Sequence, residues 1–363
     1  MSWRGIDGGR QAAIKGHSVI MTPVDALYFD FYQSTSLDEP LAIHGLTPLQ
    51  QVYHYEPVPD GLSPQQQANI LGAQGNVWTE YMPDTQAVER MALPRMTALA
   101  EVLWTDAAEK DFASFICRLP TMVSYLESLG YTVADSYKKV TATAQVQADT
   151  VHVLLATENS ASTIFYTLDG SMPDQTSQPY TAPIICRQPT TIRAVAQNRA
   201  DGQCYGDERI TVMPHKALAK PLTVSSAIEK PELLLNGVIA TDRIFQFHEW
   251  TEITEQGLLA TIDLEDQLKL SQVQLGYQAG QYRRLYLPSA ITVAVSKDGD
   301  DWQTVAEAGQ ATIKESAPRI TLDFKAVTAR YIRFTLENTH RAYSEEDRAI
   351  IAMPVYIDEL VVY

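Results

Sequence analysis

Basic residues are scarce in this sequence. Lys and Arg number 28 against 44 Asp and Glu, for a formal net charge of −16. So acidic a chain argues against nucleic acid or an anionic membrane surface as partner, because both are polyanions. It fits a neutral ligand and selects nothing finer. Cysteine is nearly absent: Cys117, Cys186 and Cys204 have no metal-like spacing. Cys186 and Cys204 could pair across neighbouring strands of a small domain or stay as half-buried thiols. His17, His44 and His54 share no i, i+4 spacing and no carboxylate motif, so a metal reading fails there; His17 is expected to pack at the start of its strand. No apolar run is long enough to span a bilayer. The polar opening MSWRGIDGGR lacks the apolar region of a signal peptide. Its first residues, MSWRG, read as the middle of a strand, so the chain is expected to begin inside a domain, with Met1 an internal methionine.

What is present is ordinary globular composition, 45% hydrophobic and 20% charged, over 363 residues that suggest two or three domains. Residues 1–135 alternate strand and helix signals, which implies a parallel sheet. SVIMTP and ILGAQGNVW read as buried strands. A long loop rich in Tyr, Pro and His lies between them, from Ala26 to Pro64, where a barrel enzyme keeps binding residues. Thr85 to Trp104 reads as one amphipathic helix with Val88, Met91, Ala92, Met96, Leu99 and Val102 inward. A second helix, about Glu109 to Leu129, stops at Gly130. Residues 138–215 carry short alternating runs (VTATAQVQ, VHVLLATE, TIFYTLDG, TTIRAVAQ) with turns between them, the pattern of a small antiparallel sandwich. MPHKALAKPLT reads as a linker. Residues 216–363 are strand-like again, with SKDGDDW marking a hairpin at Asp298-Gly299.

Three resemblances follow from motifs. MSWRG, GHSVIMTP, YFDFYQ, EPLAIHGLTPLQQVYHYEPVP, ILGAQGNVWTEYM and VERMALPRMTALAEVLW resemble, in order and spacing, the C-terminal part of the catalytic barrel of glycoside hydrolase family 20, the β-N-acetylhexosaminidases. IFYTLDGSMPDQTSQPYTAPI resembles the fibronectin-like chitobiase/hexosaminidase C-terminal module. The combination ATIDL, SKDGDDW, ARYIRF and YIDEL resembles the discoidin (F5/8 type C) family, a galactose-binding-like jelly roll. The expected fold is therefore α/β plus all-β. Residues 1–135 would be strands six to eight of a (β/α)8 TIM barrel, a partial catalytic domain; residues 138–215 a fibronectin/Ig-like β-sandwich; and residues 216–363 a jelly-roll β-sandwich. A closed barrel needs eight strands and ~250 residues, so the first unit is expected to be a fragment that lacks its N-terminal barrel half.

The family resemblance also assigns roles. In that family the substrate's acetamido oxygen attacks the anomeric carbon, and an Asp–Glu pair on strand four orients the acetamide and protonates the leaving group. That pair is absent here; Asp38-Glu39 lies after strand seven and reads as a solvated turn. The far wall of the sugar subsite remains. Tyr28 would hold the acetamido carbonyl, Asp30 would accept from a sugar hydroxyl (the 6-OH), and Glu80 would accept from the 4-OH. Trp3 and Trp78 would wall the ring. From spacing alone, the two tryptophans fit core packing equally well, and the two carboxylates fit ordinary surface positions. In the third unit Asn236, Asp242 and Glu359 match a structural Ca²⁺ site of discoidin-like modules, although the usual Asp-Gly reads Asn236-Gly237. No cofactor is expected for catalysis. The resemblance implies an intact enzyme that acts on glycans with terminal N-acetylhexosamine and is secreted, periplasmic or on the cell surface. The alternative is a non-catalytic carbohydrate-binding protein acting through the discoidin-like module.

Overall fold

The structure, a computed structural model, describes residues 1–159, 161–199, 202–225, 228–241, 249–253, 257–278, 286–314, 319–344 and 349–363. Strands Val19–Met21 and Ile70–Ala73 pair in parallel, and Ser2 bridges Met21 in the same sense. Helix Asp7–Ile14 follows the first of these segments. Thr85–Ala92, Arg95–Trp104 and Phe112–Ser128 follow the last.

Local chemistry explains these limits. Asp84 accepts from the Ala87 amide at 2.8 Å and Asp111 from the Ala113 amide at 3.0 Å, each satisfying an orphan donor of a helix start. Gly130, at φ +90°, closes the last helix. The single helix expected over Thr85 to Trp104 is broken at Pro94, whose ring nitrogen has no proton to continue the ladder. The break turns Met96 outward, to 56% exposure, while Met91, Ala92, Leu99 and Val102 stay buried.

The two strands are not buried on both faces. Val19 and Met21 are covered by helix Asp7–Ile14 and its neighbours, but Ile20 and Leu71 are exposed. With Met96 they line an open groove of about 440 Å³. No other described strand reaches that face. The expected long loop is also more ordered than its composition suggests. It holds the paired segments Phe31–Tyr32 and Ile43–Leu46 and the helix Leu49–His54. The latter packs Val52 and Tyr53 on Leu99, Phe115 and Leu119. His17 is exposed rather than packed, and the side chain of His44 lies outside the described residues.

The second unit is an antiparallel sandwich. Val140–Gln147, Thr150–Thr157 and Ile184–Cys186 form one sheet, and Cys204–Val212, Thr190–Asn198, Ser162–Thr167 and Gln178–Pro179 the other. Cys186 and Cys204 fall in different sheets and are free thiols. The third unit is a larger sandwich around the long strands Gly257–Tyr277 and Arg319–Glu337, whose register breaks between Asp263 and Leu268. Ala290–Ser296 and Gln303–Gly309 make the expected hairpin around Asp298-Gly299.

The stretch that reads as a linker is instead a joint. Ala217 belongs to the core of the third unit and Leu218 to that of the second. Val238–Ile239 leaves the third unit to pair with Cys204–Val212 in the second. A Cβ on Gly237 would meet Val151 at 2.7 Å and Leu218 at 2.8 Å, so only glycine fits where the units close on one another. Among the described residues no helix is long and apolar enough to cross a membrane.

Candidate active site

Backbone pairing builds the site. The Asn76 amide donates to Leu27 at 2.8 Å, and the Phe29 amide donates back to Asn76 at 2.7 Å. That zipper sets Tyr28 beside the segment leading to Trp78. Gly75 permits it: a Cβ there would lie 2.4 Å from the Phe29 ring. The Val24 amide bonds the Trp3 carbonyl at 3.0 Å and ties the first segment to the same rim.

Trp3, Tyr28, Asp30, Trp78 and Glu80 all line one open cleft of about 690 Å³, with Val24, Phe31 and Ile43 completing its wall. All five residues singled out from the sequence are thus brought together from across 77 positions of chain. Trp3 is 48% and Trp78 54% exposed, so neither ring is packed in the core of this chain. The Arg4 guanidinium lies 4.7 Å from the Trp3 ring. Glu80 is exposed at the cleft edge. Asp30 is the opposite of a surface carboxylate. It is 3% exposed, and its Oδ1 has no hydrogen-bond partner among the described residues. Burial pushes its carboxyl up to about 6 and the Glu80 charge adds to the rise, against Arg95 and the amides of Asp30 and Trp78. The cleft therefore offers two flat apolar faces, a phenol and two carboxylates, one of them with an oxygen left unpartnered. Such a set suits a neutral polyhydroxy ring whose C–H face stacks while its hydroxyls donate.

Arg95 is a residue the sequence reading passed over. It is completely buried. It donates to the carbonyls of Phe29 at 2.5 Å, Phe31 at 3.1 Å, Thr47 at 3.0 Å and Met91 at 2.6 Å. Two of those carbonyls flank Asp30, so the guanidinium fixes the backbone that aims it. Burial brings the Arg95 pKa down to about 9. A lone arginine on an otherwise apolar helix face, in ALPRMTALAEV, was the available signal.

The carboxylates read as a solvated turn are not one. Glu39 is buried, and Lys139 of the second unit bonds Asp38 at 2.9 Å and Glu39 at 3.1 Å. Of the three residues of the calcium expectation, Asn236 and Glu359 are described. Glu359 accepts from His215 Nε2 at 2.6 Å, from the Gly237 amide at 2.8 Å and from the Asn236 amide at 3.1 Å. Asn236 Oδ1 takes the Val238 amide at 2.8 Å. Asp242 lies outside the described residues. The described oxygens do not fit a calcium ion, and no cluster of three or more His, Cys, Asp or Glu among the described residues could hold a metal.

Residues 1–107 match glycosyl hydrolase family 20, catalytic domain. Residues 141–204 match the chitobiase/beta-hexosaminidase C-terminal domain and residues 223–347 the F5/8 type C domain. The chain is 36% identical over 235 residues to a beta-hexosaminidase of Porphyromonas gingivalis, covering 64% of this chain and 30% of that protein. It is 30% identical over 123 residues to a beta-N-acetylhexosaminidase of Cellulomonas fimi, 33% of this chain and 24% of that one. Among solved structures, the family 20 beta-N-acetylhexosaminidase of Streptomyces coelicolor A3(2) aligns at 25% identity and a TM-score of 0.33. That alignment covers 37% of this chain and 28% of the other. The chain thus spans less than a third of the length of these curated relatives. All five cleft residues fall within the family 20 segment.

Proposed function

We propose that the intact protein is a β-N-acetylhexosaminidase, a retaining glycosidase that removes terminal GlcNAc or GalNAc from glycans with the substrate's acetamide as nucleophile. The observation that carries this reading is the convergence of Trp3, Tyr28, Asp30, Trp78 and Glu80 on one cleft. In this reading Tyr28 donates its hydroxyl to the acetamido carbonyl and holds it in attack geometry. The acetamido oxygen forms a bond to the anomeric carbon as the glycosidic bond breaks. The leaving oxygen takes its proton from an Asp–Glu pair on a strand this chain does not contain. Asp30 and Glu80 accept from ring hydroxyls, and Trp3 and Trp78 cover the apolar faces.

The finer fold belongs to the same proposal. The three parallel segments at Ser2, Val19–Met21 and Ile70–Ala73 are strands six to eight of a (β/α)8 barrel. Their exposed Ile20 and Leu71, with Met96, support an N-terminal barrel half as the missing neighbour. Secretion, to the periplasm, cell surface or medium, is part of this reading. A chromogenic GlcNAc glycoside tests it. The intact protein turns it over, whereas this chain does not, because general acid catalysis alone is worth ~10²–10⁴ in rate. Enzyme-like turnover by residues 1–363 would show the acid to be misplaced.

A further inference from the structure

The second unit grips a loop of the first through a buried polar network, and both ends of that loop enter the cleft. Residues 33–39 run between the paired segments Phe31–Tyr32 and Ile43–Leu46. Asp30 and Phe31 line the cleft before the loop and Ile43 after it, and Pro40, Leu41, Ala42 and Ile43 line a second pocket that shares Asp30 and Trp78 with the cleft. Along the loop, Thr35 donates to Glu208 at 2.8 Å, Ser36 accepts from the Asp207 amide at 2.7 Å, and the Leu37 amide donates to the Asp207 carbonyl at 2.9 Å. Glu39 accepts from Ser34 at 2.6 Å, Ser136 at 3.0 Å and Lys139 at 3.1 Å, and Lys139 also takes Asp38. The Lys139 side chain is 2% and that of Glu39 3% exposed, so the pair is shielded from water and salt. Inside the loop, the Ala42 amide bonds the Tyr32 hydroxyl at 3.1 Å and the Thr47 amide the Tyr32 carbonyl at 2.8 Å. The grip therefore passes through a short, bonded path to the cleft wall.

We infer that the fibronectin-like unit positions the sugar cleft, with Lys139 and Glu208 as positioning residues that hold the Asp30 loop in shape. This rests on the reading of the cleft as a sugar subsite, and it gives the middle unit a role beyond packing or spacing. An unpaired buried Glu39 is costly, whereas removing both charges of a buried pair is tolerated. That asymmetry supplies the controls.

The experiment uses the full chain with Lys139→Met and the double variant Lys139→Met/Glu39→Gln. Three readouts are followed: amide exchange at Leu37 and Ala42, the carboxyl titration of Asp30 by NMR, and binding of N-acetylglucosamine. Lys139→Met is expected to speed exchange at the loop amides and to move the Asp30 midpoint from about 6 toward the ordinary 3.8, and the double variant, which leaves no charge unpaired, to do so to a smaller extent. Sugar binding is expected to weaken about three- to tenfold, the worth of one lost hydrogen bond. If Lys139→Met does not fold, the double variant carries the same readouts. Unchanged loop exchange and Asp30 midpoint in a folded variant would overturn the inference. Shifted exchange and midpoint in a chain whose parent binds no sugar would leave the grip standing and overturn the sugar reading alone.

Discussion

Replacing Asp30 by Asn is expected to make the protein more stable and the cleft worse. Asp30 is 3% exposed with one oxygen unpartnered, and its carboxyl is raised from 3.8 to about 6, chiefly by burial. A carboxyl whose pKa is raised on folding contributes its stability below the unfolded value and loses it as pH rises through the folded one. At pH 8 the parent therefore carries a charge that the fold disfavours by roughly two pKa units, on the order of 3 kcal/mol. Asn keeps the shape without the charge, although its amide still has unmet hydrogen bonds worth about 1–2 kcal/mol. The net expectation is a variant about 1–2 kcal/mol more stable than the parent at pH 8. That gain should shrink as pH falls through 6 and reverse below pH 3.8, where only the unmet amide hydrogen bonds of the variant remain and leave it about 1–2 kcal/mol less stable than the parent. Urea unfolding followed by tryptophan fluorescence, at pH 3.5 and 8, measures it; Trp3, Trp78 and Trp104 all report on this unit. N-acetylglucosamine binding should fall in the same variant. A variant less stable than the parent at pH 8, or a difference that ignores pH, would refute the reasoning.

Three further expectations follow the same logic. In the intact protein, Glu80→Gln should lower kcat/KM on GlcNAc and GalNAc glycosides by about one to two orders of magnitude with little change in Tm, since it removes a charge-assisted contact. Unchanged kcat/KM on both sugars would remove Glu80 from the site. Glu208 is buried and its carboxyl is pushed up to about 8, so Glu208→Gln should gain stability over the parent as pH rises from 4.5 to 8 and hold it above that. A flat difference between the two melting curves across that range would count against it. His215→Leu strips one partner from fully buried Glu359, so the third unit should melt earlier by the equivalent of about 3 kcal/mol; a melting point matching the parent's would mean the pair is idle.

The cleft was legible in the sequence because its residues sit in local motifs, such as WTE at Trp78 to Glu80 and YFD at Tyr28 to Asp30. The sandwiches were legible because alternation is itself local. What escaped depended on distant partners. Asp38-Glu39 has the composition of a solvated turn, and only Lys139, a hundred positions on, makes Glu39 half of a buried pair. MPHKALAKPLT has linker composition, but His215 meets Glu359 across 144 positions and its alanine and leucine enter two cores. Pro94 splitting a well-patterned helix is a different case. The periodicity was real, and the backbone lacked one donor.

The joint at Ala217 and Leu218 has a consequence for range of motion. Neighbouring residues anchored in two separate cores leave no swivel between them, and the shared strand pairing at Val238–Ile239 closes the remaining hinge. The two sandwiches are thus joined at two places, and the polar network on residues 33–39 ties the nearer one to the first unit. Whatever the far sandwich holds is then set at a constant span from Trp78. A ligand held at both the cleft and the far sandwich would have to match that span.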